Sequence, residues 1–423
     1  MSSRITVSKT SGGIPVVVEH IPDSQSAGYM IGVATGSRDE YEEIRGLSHL
    51  LEHTVFRETG TRDSYQMAKE MEGAGGEMNA FTGKEMTAFY GVTIKETAGT
   101  ARELVADIVA NPLISENDTE LEKKIVLQEL SMIKSEPDSY IHDLFETQLW
   151  RGHPLSQDEG GPEETVAKLT NVDLRAYYDE KYKIPNIEVY AAGNVDLEET
   201  VEWAEKSFDG MSGGKRNVRT APPTPESMYG FVKHDTEHYQ VAMGFPSYDS
   251  SHKSRMAVTM LSAVLGSGTS SRLFHSVRED KALVYSIYTS VSQCSDASSL
   301  TTYMSCTESN VIESMETVVQ EIGRLLSEGL EKGELERSKR LIKGANVRSM
   351  ESTEHRLYRL GVNHMLNGSV ECLEDRLAKI DSVTEEDVMH VAEDLLKPDR
   401  LNTVVLGKGN RKLTKYDSSA LSF

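Results

Sequence analysis

The residues in this 423-residue chain best suited to chemistry are His49-Leu-Leu-Glu-His53. On a helix, His49 and His53 stand one turn apart on a shared face, so both imidazoles can bind one metal ion. Glu52 lies on the adjoining part of that face, within reach of a proton on a water molecule at the metal. Leu47, Leu50 and Leu51 give such a helix an apolar stripe that anchors it in a core. A catalytic zinc usually takes three protein ligands and keeps a fourth position open, so a distant partner is required. The predicted helix Asp118–Ile133 offers Glu122 and Glu129, seven residues apart and on one face. Spacing leaves either of them open as the ligand, and both open as ordinary surface charges.

A second stretch, His234-Asp-Thr-Glu-His238, satisfies the same pattern and serves as an internal control. It sits between Phe231-Val and Tyr239-Gln-Val-Ala-Met, in a segment that reads as strand. It has no apolar helical stripe, and a strand would splay its two histidines away from a common metal. Exposed histidines at a strand end are the expectation there.

The first motif, followed by Glu129 with 75 residues between it and His53, resembles the inverted zinc motif of the pitrilysin-type metallopeptidases. That family includes mitochondrial processing peptidase and insulin-degrading enzyme. Three further segments are similar to family segments and come in the family's order. They are Gly75-Gly-Glu-Met-Asn-Ala-Phe-Thr82, Leu265-Gly-Ser-Gly-Thr-Ser-Ser-Arg-Leu-Phe274 and Val277-Arg-Glu-Asp-Lys-Ala-Leu-Val-Tyr285. One departure is Phe56-Arg-Glu-Thr-Gly-Thr61, where many relatives carry a Lys-Gly-Thr turn directly after the Phe.

The resemblance implies a zinc endopeptidase with His49, His53 and Glu129 as metal ligands and one zinc per chain. It makes Glu52 the general base acting on water at the zinc, and Glu122 a supporting carboxylate that orients His49 or His53. Asn79, Ala80, Phe81 and Thr82 match the edge strand on which the family adds substrate backbone as an extra strand. Arg278 and Tyr285 match the paired Arg and Tyr of the family's second domain, which reach the substrate and its developing oxyanion. Relatives of this length usually pair to enclose a chamber, which implies a homodimer acting on unfolded peptides or short polypeptides. Some relatives are catalytically silent scaffold subunits or need a different partner chain, and those are the alternative expectations.

The elements that must position these residues fall into two similar halves. Glu120-Leu-Glu-Lys matches Glu334-Leu-Glu-Arg, and Leu169-Thr-Asn-Val-Asp-Leu174 matches Val383-Thr-Glu-Glu-Asp-Val388. Both pairs lie 214 residues apart, and the same offset sets Gly193 on Gly407. It sends His49, Glu52, His53 and Glu129 to Ala263, Gly266, Ser267 and Lys343, so only the first half can hold the metal. The expected organisation is a catalytic domain over 1–213, a Gly/Pro-rich linker over 214–226 and a degenerate repeat over 227–423.

In the first half, strands are predicted at Ile14–Val18, Tyr29–Ala34, Glu77–Phe81 and Thr87–Ile94. Helices are predicted at Gly46–Phe56, Tyr65–Glu72, Ala98–Ala110, Asp118–Ile133 and Val172–Tyr182. Strand pairs followed by helix pairs predict an α+β fold, each half a largely antiparallel sheet packed with helices.

Composition narrows the function classes. Residues 1–213 hold 19 Lys and Arg against 39 Asp and Glu, so they carry −20 of the net charge of −22. Such a field repels nucleic acid and anionic membrane and favours cationic ligands where it lines a cavity; with the chamber that the resemblance implies, the expected substrates are basic, extended peptides. Three cysteines with no C-x-x-C pair, an amino terminus without a basic-then-apolar run and no apolar run of transmembrane length predict a cytoplasmic protein.

Overall fold

The computed structural model describes residues 4–211, 213–409, 411–417, 419, 421 and 423. Met1–Ser3 of the amino-terminal stretch and Ser212 beside the linker therefore lie outside the described residues. Six strands form the first sheet: β1 (Arg4–Lys9), β2 (Pro15–His20), β3 (Ser26–Val33), β4 (Glu77–Thr82), β5 (Thr87–Ile94) and β6 (Ile187–Gly193). Their order is β1-β2-β6-β3-β5-β4, antiparallel except for the β2/β6 pair. The second sheet holds β7 (Met228–Lys233), β8 (Tyr239–Ser247), β9 (Val284–Gln293), β10 (Ser298–Cys306) and β11 (Asn402–Gly407), in the order β7-β11-β8-β10-β9.

With β1 set aside, the two orders are the same, down to the single parallel pair β7/β11. The α+β fold with two copies of one sheet is thus as the repeat predicts. The strands are rich in Val, Ile, Tyr and Thr, and most are buried on both faces, β6 along its whole length. A sheet buried on both sides needs helices on both sides.

Five helices of the first half matter for the site: α1 (Leu47–Val55), α2 (Ser64–Gly73), α3 (Ala98–Ala110), α4 (Glu116–Ser135) and α5 (Pro137–Leu149). Ile31, Val33, Leu50, Leu51, Phe89, Leu104 and Val126 meet in the core on one face of the first sheet. Its other face is covered by a helix from the second half, Thr353–Asn367, whose Leu357, Leu360 and Met365 pack on Val17, Met30, Ala88 and Tyr190. Conversely, α5 puts Ile141, Phe145 and Leu149 against Ala242, Val404 and Leu406 of the second sheet.

The compact units therefore differ from the contiguous halves expected from sequence. One unit is residues 1–130, 157–219 and 347–372; the other is 131–156, 220–346 and 373–423. Adding 214 to α5 gives 351–363, inside or beside Thr353–Asn367, so the same element of each repeat crosses to the other unit. The crossing helix is held by ion pairs as well as by its apolar face. Arg356 and Arg359 grip the two oxygens of the buried Glu19 at 2.5 and 2.7 Å, and His364 meets the buried Glu188 at 2.5 Å.

The connection after residue 213 carries no regular structure, yet its first part is strapped to the first unit. Arg216 pairs with Glu188 at 2.9 Å, and Arg219 forks onto Asp39 at 3.0 and 2.6 Å. No helix among the described residues is long and apolar enough to cross a membrane.

Candidate metal centre

The chain enters α1 through Gly46, at φ +88°, where a Cβ would stand 2.3 Å from the Gly160 carbonyl oxygen; only glycine fits. No residue at the usual capping position serves this helix. Instead the buried Glu40 accepts hydrogen bonds from the backbone N–H groups of Gly46 (2.7 Å) and Ser48 (2.6 Å). Burial pushes the Glu40 carboxyl up to about 8 in spite of those two bonds. Leu47, Leu50, Leu51 and Val55 are wholly buried, and Ser48 bonds the Tyr177 hydroxyl at 2.9 Å. One face of α1 is thereby fixed, and His49, Glu52 and His53 are left on the other.

His49 and His53 meet carboxylates of α4. The His49 and His53 rings stand edge to face with centroids 4.8 Å apart. Glu129 brings its Oε2 to 3.8 Å from His49 Nε2 and 3.4 Å from His53 Nε2. One ligand atom from each of His49, His53 and Glu129 lies within 4.8 Å of the others. Glu122 takes a different place: its Oε2 accepts from His53 Nδ1 at 3.1 Å, while Arg57 reaches its other oxygen at 3.6 Å. A carboxylate on Nδ1 fixes the His53 tautomer and leaves Nε2, 3.4 Å from Glu129 Oε2, with the lone pair that a metal would take. Of the two histidines left open by sequence, Glu122 thus holds His53.

The residues fit a metal. His49 Nδ1 is buried with no hydrogen-bond partner, and burial, with His53 nearby, lowers the His49 pKa to about 4. A neutral imidazole is a ligand; an imidazolium is not. For His53, burial disfavours the cation, but the Glu122 bond and the carboxylates around it raise the pKa overall. Two imidazoles and a carboxylate are the donor set of hydrolytic zinc sites. Replacing Glu122 with Gln is expected to weaken metal binding about 10–100-fold. Competition with a chromophoric chelator measures this, and unchanged affinity would remove Glu122 from the site.

Glu52 faces the same cavity, and burial raises its pKa, opposed by the Thr82 hydrogen bond and by His53. The Thr82 hydroxyl donates to Glu52 Oε2 at 2.5 Å. Thr82 ends β4, which pairs only with β5 among the described strands and so has a free edge. By the two-residue period, Met78, Ala80 and Thr82 share one face, and Met78 and Ala80 pack on the core there. Asn79 is exposed, with its side-chain oxygen accepting from the Ala80 N–H at 2.8 Å, and Phe81 packs on Tyr358 at 5.2 Å.

The cavity of about 790 Å³ beside the site is lined by Glu52, His53, Glu122, Glu129 and Asn79. Met67, Met71, Glu72 and Glu77 also belong to its wall, and Arg57 is the only Lys or Arg among the described lining residues. Sequence reasoning missed Glu40, Met67 and Met71. Glu40 lies six residues ahead of the N–H it holds, outside any capping pattern; the methionines carry only the ordinary apolar signal of α2.

Arg278 and Tyr285 belong to the other unit. Arg278 lies in the π-helical turn Phe274–Asp280 with its guanidinium 4.8 Å from the Phe274 ring centre. Tyr285 is 55% exposed on β9, an edge strand in the position that β4 holds in the first sheet. His234 and His238 lie in the connection between β7 and β8 rather than within a strand. His234 Nε2 donates to the Lys134 carbonyl at 2.8 Å, so the two histidines have separate surroundings.

An uncharacterized zinc protease of Mycobacterium leprae is 32% identical to this chain over 95% of its length and 92% of the relative's. The chain belongs to peptidase family M16. Residues 15–163 match the model described as insulinase, peptidase family M16, and residues 168–342 the one described as peptidase M16 inactive domain. A second relative, an uncharacterized zinc protease of Bacillus subtilis, is 31% identical over 94% of this chain and 97% of its own. The fold matches a crystal structure described as a peptidase M16 inactive domain from Pseudomonas fluorescens. That match has a TM-score of 0.89 at 18% identity and covers 96% of this chain and 98% of the other. In this M16 chain Lys343, the repeat equivalent of Glu129, is tied to both oxygens of Asp381 at 2.8 Å.

Proposed function

We propose that this chain is a zinc-dependent endopeptidase that hydrolyses extended peptides, with Glu52 as its general base. The observation that carries the reading is the convergence of the two imidazoles and Glu129 within 4.8 Å, with His53, Glu129 and Glu52 lining one cavity beside the free edge of β4. A bound zinc supplies Lewis acidity, polarising the scissile carbonyl and lowering the pKa of water.

The chain's own residues do the rest. An extended peptide adds to the edge of β4 through backbone hydrogen bonds, which set its carbonyl against the site. Glu52 takes the proton from the attacking water and passes it to the leaving amine. Thr82, bonded to one oxygen of Glu52, leaves the other oxygen for that transfer. Arg278 and Tyr285 are assigned to the developing oxyanion, as a cation and a phenol donor. The reading includes one zinc per chain, a closed chamber that excludes folded proteins, a homodimer and a cytoplasmic location. Ligands, base and the Arg/Tyr pair all lie on one polypeptide, which supports an active enzyme over a silent scaffold.

The test is hydrolysis of a quenched fluorescent peptide panel by the purified chain. Chelation should abolish cleavage and one equivalent of zinc should restore it. Cleavage indifferent to the chelator, or a zinc-loaded chain that cuts no peptide in a varied panel, would overturn the reading. Because carboxylates dominate the cavity wall, cationic peptides should be cut faster than matched anionic ones at low ionic strength. Raising salt to 0.5 M should compress that preference, since the Debye length falls below about 5 Å. Equal rates at low salt would show that charge does not select the substrate.

A further inference from the structure

In the second His-x-x-Glu-His stretch, His238 meets Tyr285 across the sheet. β10 lies between β8 and β9, and its last residue, Cys306, pairs with Tyr239 on one side and with Val284 on the other. His238, just ahead of β8, and Tyr285, just inside β9, thus flank the same end of the sheet. Strands two apart are separated by about 9.5 Å, yet the two rings meet with centroids 4.5 Å apart, edge to face at 62°.

A β-bulge accounts for the approach. Between Cys306 and Ser305 the register on β9 moves from Val284 to Ser286, leaving Tyr285 as the extra, unpaired residue. Bulges of this kind re-aim a side chain and loosen its strand. Tyr285 is more than half exposed, and its ring packs edge to face on His238. The backbone beneath the exposed His238 ring is held: its carbonyl accepts from Thr236 Oγ1 at 3.0 Å and Gln240 Nε2 at 3.3 Å. The Gln240 Oε1 in turn accepts from the Tyr303 hydroxyl at 2.8 Å.

We propose that His238 is a positioning residue for Tyr285, holding the phenol ring at the bulge in the orientation from which it serves the reaction. The proposal rests on the role assigned to Tyr285 above, and the experiment separates the two. Steady-state peptide hydrolysis is compared for wild type, H238A, H238F, Y285F and H238A/Y285F, each with metal content and melting temperature measured.

Loss of one aromatic pair contact should lower kcat about three- to tenfold in H238A with KM within twofold, because an oxyanion donor acts in the transition state. H238F, which keeps a ring at that place, should recover most of the rate. On the Y285F background, H238A should change nothing further. An equal loss on that background, no loss at all, or an H238F as slow as H238A would overturn the proposal. If Y285F alone keeps the wild-type kcat, the role of Tyr285 fails, and this is read before any His238 variant is considered.

Discussion

Glu52→Gln is expected to lower kcat about 10²–10⁴-fold, the range for removing a positioned general base, while bound metal stays at the wild-type level. The two readouts part because Glu52 lies outside the His49, His53 and Glu129 donor set yet faces the same cavity. Glutamine has nearly the same shape and accepts the Thr82 hydroxyl through its amide oxygen, so the local packing survives. What it lacks is an oxygen that can take a proton. KM should change little, since the lost interaction belongs to the proton in flight and not to the bound peptide. Metal analysis beside single-turnover hydrolysis checks this. A variant that loses metal and activity together would make Glu52 a structural part of the metal site, and one that keeps its rate would end its role as base.

The second large effect is on stability. Glu19→Ala removes a carboxylate that is 1% exposed and shared by two arginines, Arg356 and Arg359. Removing one partner of a buried ion pair leaves uncompensated charge and costs about 3–5 kcal/mol. Here two guanidinium groups on the same helix lose their carboxylate and keep only backbone carbonyls, Arg356 on Met350 and Arg359 on Glu371, so the loss should fall on Thr353–Asn367. Denaturant unfolding measures the total. Hydrogen exchange or limited proteolysis over residues 347–372 should show that this helix is released first. A change below about 1 kcal/mol, or protection lost uniformly over the chain, would mean the apolar face alone holds it.

Much of the site was legible because each part has a local signature. The i, i+4 histidines over a Leu stripe specify a helix with one buried face and one chemical face, and α1 is that helix. Glu122 and Glu129 share a face of α4 because seven residues are close to two turns, although only the folded chain shows which of them stands between the two imidazoles. The repeat read from the offset of 214 residues reappears in the strand order of the two sheets. The parts that stayed hidden are non-local. An amphipathic helix declares that it has an apolar face but not whose sheet will cover it, so the exchange of α5 and Thr353–Asn367 left no trace in either half alone. Glu40 reaches the end of α1 from a loop, and a bulge at Tyr285 has no residue code.

The exchange of helices also sets a timetable for synthesis. The unit that bears the metal ligands has its sheet complete once residue 193 has been made, but its last segment ends at residue 372. At 5–20 residues per second, the roughly 180 residues from 193 to 372 take the ribosome about 9–36 s. For that interval Val17, Met30, Ala88 and Tyr190 lack their cover of Leu357, Leu360 and Met365. The nascent chain must therefore carry a bare apolar sheet face for longer than most small domains take to fold. A chain assembled in this order finishes the unit that bears His49, His53 and Glu129 only when its second repeat is nearly made, so a prematurely terminated product is expected to retain those residues but not the fold that sets them together.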